Sequence, residues 1–247
     1  MALLTEYEVA ALLLSLKVSL TAVCCSLPAG IFIAWVLARF DFPGKSLLDG
    51  VIHLPLVLPP VVVGYLLLIS MGRAGWIGHW LYETFGISFA FSWRGAALAA
   101  AVVSFPLMVR AIRQAFEAVD TRLEQAARTL GAGRLRVFFT ISLPLTAPGI
   151  VSGMVLAFAR SLGEFGSTIT FVSNIPGETR TIPLAMYSFI ETPGAEAQAG
   201  RLCVIAIVIS LLSLVASQWL GKRHSRGLME NAEYQCKTPV RRDFARC

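Results

Sequence analysis

Residues 123–144 read LEQAARTLGAGRLRVFFTISLP. Four apolar residues in this segment recur at the helical spacing of three and four: Leu123, Ala126, Ala127 and Leu130. That spacing predicts one face of a helix, and polar residues fall on the other face: Glu124, Gln125 and Arg128. Gly131 can adopt a positive φ and end this helix. We therefore expect a helix, a sharp turn, and a second amphipathic helix over 134–142 that ends at Pro144.

The segments around this charged stretch have the composition of a membrane protein. Of the 247 residues, 56% are hydrophobic and 15% are charged, whereas a soluble domain has roughly 25% charged residues. We expect an all-α polytopic membrane domain over 1–222 and a polar, disordered cytoplasmic tail over 223–247. The five cysteines lack metal-ligand spacing, so neither a disulfide framework nor a metal site is expected. The basic residues lie between the apolar segments, which argues against nucleic-acid binding.

About five segments approach the roughly 20 apolar residues that a bilayer crossing needs: 9–38, 51–71, 89–110, 148–172 and 202–220. Pro55, Pro59 and Pro60 are expected to kink the second of these or to unwind its first half. Tryptophan and other apolar residues at helical spacing predict a short interfacial helix within 72–92. The segment 182–190 is apolar but too short to cross.

The fourth crossing includes two charged residues. Its purely apolar part, 148–159, is too short, so we expect the crossing to continue to about residue 172. This places Arg160 and Glu164 inside the bilayer, four residues apart on one helical face. The two side chains either neutralise each other and hold the helices together, or leave Arg160 to attract an anion. We favour the structural interpretation.

The basic residues predict the orientation of the chain. One set of inter-span segments carries most of them: Arg39, Lys45, Arg110, Arg113, Arg122, Arg128, Arg134, Arg136, Lys222, Arg223 and Arg226. The other set carries fewer: Arg73, Arg94, Arg180 and Arg201. By the positive-inside rule the stretch 123–144 is cytoplasmic. With five crossings the N-terminus is outside and the C-terminus is in the cytoplasm.

From periodicity alone, the favoured interpretation of the stretch 123–144 is a solvated amphipathic helix lying on the lipid surface. Its spacing adds a resemblance to the cytoplasmic coupling motif of permease subunits in ATP-binding-cassette importers, written EAA…G…I-x-LP. The matching positions are Ala126, Ala127, Gly131, Ile141, Leu143 and Pro144. In that family the motif forms a short helix that sits in a cleft of the ATPase subunit. Here Gln125 occupies the glutamate position and Glu124 precedes it, so Glu124 or Gln125 is expected to make that polar contact, with Arg128 nearby.

Longer runs resemble the permease subunits of molybdate importers, among them 42–68 and 161–187, and the likeness covers about residues 1–222. It implies a type I importer permease in the bacterial inner membrane that works as a homodimer. It also implies two cytoplasmic ATP-binding subunits, which hold ATP and Mg²⁺, and a periplasmic molybdate-binding protein. This chain would bind no cofactor and would catalyse no bond change.

A doubly charged oxyanion needs a polar path that faces the inside of the bundle. The candidates are Ser104, Arg160, Ser161, Glu164, Ser167 and Thr168. Gly149 and Gly153 form a small-xxx-small pair, which favours close helix packing. Lys17 is expected to snorkel to the outer surface, and His53 to serve helix packing.

Three alternatives stay open at this point. Sulfate or thiosulfate permeases share the coupling motif, and tungstate is nearly isosteric with molybdate. A secondary ion-coupled transporter or a channel belongs to another class, but the chain shows no internal repeat and one clear intramembrane carboxylate, Glu164. A membrane enzyme would need clustered catalytic side chains inside the spans, and the sequence shows no such set.

Overall fold

The computed structural model describes residues 5–213 and residue 215. Its helices are α1 Glu6–Arg39, α2 Lys45–Val57, α3 Pro60–Met71, α4 Trp76–Phe85, α5 Trp93–Ala118, α6 Thr121–Thr129, α7 Arg134–Val137, α8 Leu143–Leu162, α9 Gly166–Val172, α10 Ile182–Glu191 and α11 Glu196–Ser213. A π-helical turn, Phe138–Ser142, joins α7 to α8. No strand occurs among the described residues. The predicted all-α class is confirmed, and the predicted tail over 223–247 lies outside the described residues.

Within the described part of the chain, four helical runs are long and apolar enough to cross a membrane: α1, α5, Arg134–Leu162 and α11. The pair α2 and α3 is bent by 111° and makes a fifth crossing if it is counted as one. The third predicted segment, 89–110, extends in the structure over Trp93–Ala118. The fifth, 202–220, begins earlier, at Glu196, and its end lies outside the described residues. The short helices α4 and α10 occupy the regions where an interfacial helix and a short apolar segment are predicted.

The bend between α2 and α3 follows from the prolines. Helix α2 runs through Pro55 and ends at Val57. Pro60 is the first residue of α3, where its missing N–H costs nothing because a first-turn amide has no intrahelical partner. The second predicted crossing is therefore kinked as expected, with the break at residues 58–59 rather than an unwound first half.

The structure corrects the prediction of one continuous helix over 148–172. The helical run begins at Arg134 and ends at Leu162, and α9 follows after a break at 163–165. Pro144 does not end the second amphipathic helix, because the π turn precedes it. Leu143 N–H donates to Phe138 O, five residues back, and this wider turn accommodates a proline that lacks an N–H and would clash in a regular turn.

Small residues pack α8 against α5, as predicted. A methyl group added at Gly149 would clash with the Ala115 side chain. One added at Gly153 would lie 3.0 Å from Ile112 Cγ1 and 3.1 Å from Met108 O. The contact forms one buried core with fully buried side chains from α1 and α5: Leu37, Met108, Val109, Ile112 and Phe116.

Helix α9 continues the course of α8 along α5. At its C-terminal end, Val172 contacts Gly95 in the first turn of α5, so the chain from Gly149 to Val172 follows α5 from about Ala115 back to Gly95. That stretch of α5 is about 30 Å long at 1.5 Å per residue, which matches the hydrocarbon thickness of a bilayer. The break at 163–165 therefore lies part-way along α5, away from both ends.

The two helix breaks meet. A methyl group at Gly166 would lie 2.8 Å from Pro60 Cβ, and one at Gly64 would lie 2.6 Å from Ser167 O. The first turns of α3 and α9 are therefore in backbone contact, because glycine on each helix lets the other approach. This contact brings both broken helices to one place inside the bundle.

Candidate functional site

The stretch 123–144 forms the predicted helix and turn. Asp120 caps α6 by accepting from Arg122 N–H at 2.9 Å. After α6 the chain turns at Gly131, where φ is +87°. Gly131 N–H donates to Arg128 O at 2.9 Å, and Ala132 N–H donates to Ala127 O at 3.0 Å. These bonds satisfy the last carbonyls of α6 as expected of a glycine-ended helix.

The apolar side of α6 faces outward. Leu123 is 50% exposed and Leu130 is 89% exposed. Two apolar side chains beyond the turn, Leu135 and Phe139, are also largely exposed. We call these four residues the α6–α7 face. Exposed arginines lie on the same segments: Arg122, Arg128, Arg134 and Arg136. An apolar surface with a charged rim is typical of a protein-binding site.

The periodicity predicted that Glu124 shares the solvent-facing side of α6 with Gln125 and Arg128, and for Glu124 this prediction is wrong. Glu124 is only 6% exposed, and it pairs with Arg39 of α1, with Arg39 Nη2 2.9 Å from Glu124 Oε1. Gln125 and Arg128 are exposed as predicted. The expectation that Glu124 takes the place of the motif's outward carboxylate therefore conflicts with its position.

The same Glu124 oxygen binds two further donors. Arg39 Nε donates to it at 3.0 Å and Ser142 Oγ donates to it at 2.8 Å. Arg39 Nη2 also donates to Val119 O at the end of α5, at 3.2 Å. Sequence reasoning missed Arg39 and Ser142, because the partners of Glu124 are 85 and 18 residues away. A cavity of about 200 Å³ adjoins this cluster, lined by Trp35, Arg39, Phe40, Glu124, Arg128, Arg134, Val137, Phe138 and Ser142.

The remaining motif residues lie at the start of the α8 run. Ile141 and Leu143 are half-buried, Pro144 is exposed, and the small residues Ala126 and Ala127 are exposed and half-buried respectively. Small residues on an outward surface leave room for a partner to approach closely. The motif thus presents two elements, α6 and the run from Arg134, on one end of the bundle, which we call the α6 end.

Among the predicted path residues, the structure brings Arg160, Glu164 and Ser167 together. Arg160 Nη1 is 2.7 Å from Glu164 Oε2. The other oxygen, Oε1, accepts from Ser167 N–H at 2.9 Å and from Ser167 Oγ at 2.8 Å. Glu164 lies beyond the end of α8, so the prediction of one helical face is wrong, although the pair itself forms. The carboxylate joins the end of α8 to the first turn of α9.

The other predicted path residues are buried but differ in their contacts. Ser161 Oγ has no hydrogen-bond partner among the described residues. Thr168 is buried next to Ser167. Ser104 is fully buried and donates to Ala101 O of its own helix at 3.3 Å, so no hydrogen bond joins it to the Arg160 group.

Two basic residues have local partners. Lys17 Nζ lies 3.8 Å from the centre of the Trp93 ring, a cation–π contact that sequence reasoning missed. His53 Nδ1 is 2.9 Å from Asp49 O on its own helix, and its role in packing between helices stays a prediction. Among the described residues, no three His, Cys, Asp or Glu side chains form a group that would hold a metal ion.

The comparisons with known proteins agree with this geometry. The family model of the binding-protein-dependent transport system inner membrane component matches residues 26–227. The molybdenum transport system permease protein ModB of Escherichia coli (strain K12) is 72% identical over 220 residues, which are 89% of this chain and 96% of that protein. A probable sulfate transport system permease protein, cysT of Chlorokybus atmophyticus, is 43% identical over 162 residues, which are 66% of this chain and 56% of that protein.

A solved structure shows the same fold. It is the crystal structure of a bacterial alginate ABC transporter in complex with an alginate pentasaccharide-bound periplasmic protein. One of its chains has a TM-score of 0.70 and 16% sequence identity, and the match covers 89% of this chain and 80% of that one. The family model spans most of the chain and the Escherichia coli protein is similar over nearly its whole length. This chain therefore belongs to the family of binding-protein-dependent transport system inner membrane components, multi-pass permeases of ATP-binding-cassette importers.

Proposed function

We propose that this chain is the permease subunit of an importer that moves molybdate across the inner membrane at the expense of ATP. The assignment of molybdate as the cargo rests on a single observation, the likeness to the Escherichia coli molybdenum permease over nearly the full length of both chains. The sulfate permease is less similar and matches a smaller part, so sulfate and thiosulfate form the second candidate. Tungstate resembles molybdate in charge and size and is expected to share its route.

The α6–α7 face is the surface that the ATPase subunit would cover. Its four side chains are apolar and exposed, and each leucine that becomes fully buried contributes roughly 1.5–3 kcal/mol. Gln125, Ala126 and Ala127 allow close approach of the partner, and the rim arginines favour a partner with acidic groups. ATP and Mg²⁺ belong to that partner subunit in this proposal, and the permease chain binds neither.

The orientation follows from this docking. The ATPase is cytoplasmic, so the α6 end faces the cytoplasm, the N-terminus of α1 lies outside and the C-terminus lies inside. The concentration of arginines at the α6 end agrees with the positive-inside rule. A periplasmic binding protein would then deliver its cargo to the opposite end of the bundle.

The junction of the two broken helices is the part of the chain best suited to contact the anion. Broken helices at the depth of the membrane mark substrate sites in other transporters. At this junction Arg160 is 31% exposed while its partner Glu164 is 2% exposed. Glu164 cancels the charge of Arg160, so the anion would be guided without being trapped. Ser161, Ser167 and Thr168 are buried beside this junction, whereas Ser104 lies elsewhere on α5.

A homodimer completes the transporter in this proposal, with the anion passing between two copies. ATP binding draws the two ATPase subunits together, and each α6 moves with its ATPase. The two permease copies then rock about their interface between outward-open and inward-open arrangements. Access to the path alternates because only one end is open at a time.

The test is reconstitution of this chain with its ATPase subunit in liposomes. ATP hydrolysis is measured as binding protein loaded with molybdate, tungstate or sulfate is added. We expect stimulation by the molybdate and tungstate forms and not by the sulfate form. Equal stimulation by the sulfate form would leave an importer and overturn the choice of molybdate. Absence of both ATPase association and stimulation would overturn the importer proposal, and uptake driven by an ion gradient without ATP would replace it with a secondary transporter.

A further inference from the structure

Three elements meet at the carboxylate of Glu124, and a fourth is joined to it through Arg39. The residue itself is on α6, Arg39 is in the last turn of α1, and Ser142 is in the π turn that leads into α8. Arg39 adds a bond to Val119 O, which follows α5. We call Glu124, Arg39 and Ser142 the Glu124 cluster. No other hydrogen bond or ion pair between side chains in the described residues connects α6 to the bundle.

The Glu124 cluster is buried and held by charged hydrogen bonds. The side chains of Arg39 and Glu124 are 11% and 8% exposed, so water screens the pair weakly. The charged bonds measure 2.9 and 3.0 Å, as expected of charge-assisted hydrogen bonds. Moving α6 away from α1 would break these bonds together, and either charged group that stayed buried would lose its partner, which is strongly unfavourable.

Adjacent residues of α6 therefore face different partners. A helical step of about 100° separates Glu124 from Gln125, so one side chain points into the bundle while the other is exposed. The chain has Gln at the motif's glutamate position and has its acid one residue earlier. That acid, Glu124, is already bound to Arg39 and Ser142 of the same chain.

We propose that Glu124 is a positioning residue that makes α6 move as one body with α1, α5 and α8. This inference rests on the proposed function and deepens it. It names the contact that makes the rest of the bundle move when the α6–α7 face moves. Gln125 and the α6–α7 face contact the ATPase subunit, and Glu124 transmits the movement. Without the Glu124 cluster, α6 moves with the ATPase while the bundle stays behind.

The central variant is Glu124→Gln, which keeps the shape of the side chain and removes its charge. We expect the complex with the ATPase subunit to assemble and to hydrolyse ATP at the basal rate. Stimulation by molybdate-loaded binding protein and molybdate uptake are both expected to fall at least roughly fivefold, the lower end of typical couplings between sites. Ser142→Ala removes one hydrogen bond and should give a smaller change in the same direction.

The matched control is Arg113→Gln, which removes ion pairs with Asp49 and Glu117 near the same end of the bundle. Neither partner belongs to α6, so stimulation and uptake should stay near the wild-type level. Arg39→Gln completes a double-mutant cycle. If Arg39 and Glu124 act as one connection, the double variant is no worse than the more affected single variant.

Hydrogen exchange of the permease alone tests the connection without the ATPase. Amides of residues 121–130 are expected to exchange faster in Glu124→Gln than in wild type, while those of the middle of α5 stay unchanged. A second outcome separates the two proposals. If residues 121–130 exchange faster in Glu124→Gln but molybdate-loaded binding protein does not stimulate even the wild-type complex, the proposed function is wrong and the positioning role of Glu124 is kept. Stimulation and uptake at wild-type levels in Glu124→Gln would overturn the inference. Loss of ATPase binding with unchanged exchange would also overturn it, because Glu124 would then contact the ATPase directly.

Discussion

At Gly131 the backbone has φ +87°, and a methyl group there would meet nothing within 4 Å. At Gly149 the space is filled instead, because an added methyl group would clash with the Ala115 side chain. Gly131 is therefore needed for its backbone conformation, and Gly149 is needed for its small size. The two glycines predict different responses to the same substitution by alanine.

Gly131→Ala forces a side chain into the left-handed region, which costs about 1–2 kcal/mol. We expect the turn after α6 to loosen and the amount of ATPase that co-purifies with the permease to fall. Gly133→Ala is the matched control, since Gly133 has φ −66° and open space around it. A loss of ATPase of the same size in Gly133→Ala would show that backbone strain at Gly131 is not the cause.

Gly149→Ala overpacks the contact between α8 and α5, which costs about 1–3 kcal/mol. We expect a lower unfolding temperature of the detergent-solubilised permease. Ala115→Gly removes the methyl group that causes the clash, so the double variant should regain much of the lost stability. Additive losses in the double variant would contradict the packing explanation.

At the scale of the elements, two breaks decide the shape of the bundle interior. The break between α2 and α3 is explained by local chemistry, because two prolines stand side by side at 59 and 60. The break between α8 and α9 is held by Glu164, which pairs with Arg160 on one side and binds Ser167 on the other. A carboxylate at a helix start stabilises the first turn through its free N–H groups.

Glu164→Gln keeps an oxygen that can accept from Ser167 and removes the charge that balances Arg160. Under the proposed function we expect molybdate uptake to fall by roughly tenfold, which corresponds to about 1.4 kcal/mol, because an unbalanced guanidinium retains the anion. ATPase association should be unchanged. Replacing both residues, as Arg160→Gln and Glu164→Gln, should restore part of the uptake. An equally inactive double variant would instead give Arg160 a direct part in moving the anion.

At the scale of the whole molecule, α1 is tied at both ends to distant parts of the chain. Its last turn pairs with Glu124 through Arg39. Its first turn pairs with α11, where Arg201 Nη2 is 3.0 Å from Glu8 Oε1. The Glu8 side chain is fully buried, and its second oxygen accepts from Thr5 N–H at 2.7 Å. Helix α1 therefore connects the two ends of the bundle.

Arg201→Gln leaves the buried Glu8 carboxylate without its cation. We expect the free energy of unfolding to fall by about 1–3 kcal/mol, at the lower end because Arg201 is itself partly exposed. Arg201→Lys keeps the charge and should lose less stability. The measurement is thermal unfolding of the permease in detergent. Equal unfolding temperatures for wild type and Arg201→Gln would show that the ion pair does not stabilise the fold.

The sequence by itself determined the features that depend on local chemistry. Apolar length gives the membrane spans, since each crossing must bury about 20 residues in hydrocarbon. The prolines of the second crossing, the turn at Gly131 and the close packing at Gly149 follow from the geometry of single residue types. The spacing of the coupling motif also predicts which family the chain belongs to.

Only the tertiary structure decided how distant residues pair. Periodicity places Glu124 on the polar face of α6, but in the structure the side chain points inward, where Arg39 and Ser142 replace its contacts with water. Counting apolar residues likewise misplaced the fourth helix. A π turn carries the run from Arg134 past Pro144, and Glu164 stabilises a break at 163–165. These outcomes depend on contacts between separate segments, and local periodicity does not specify such contacts.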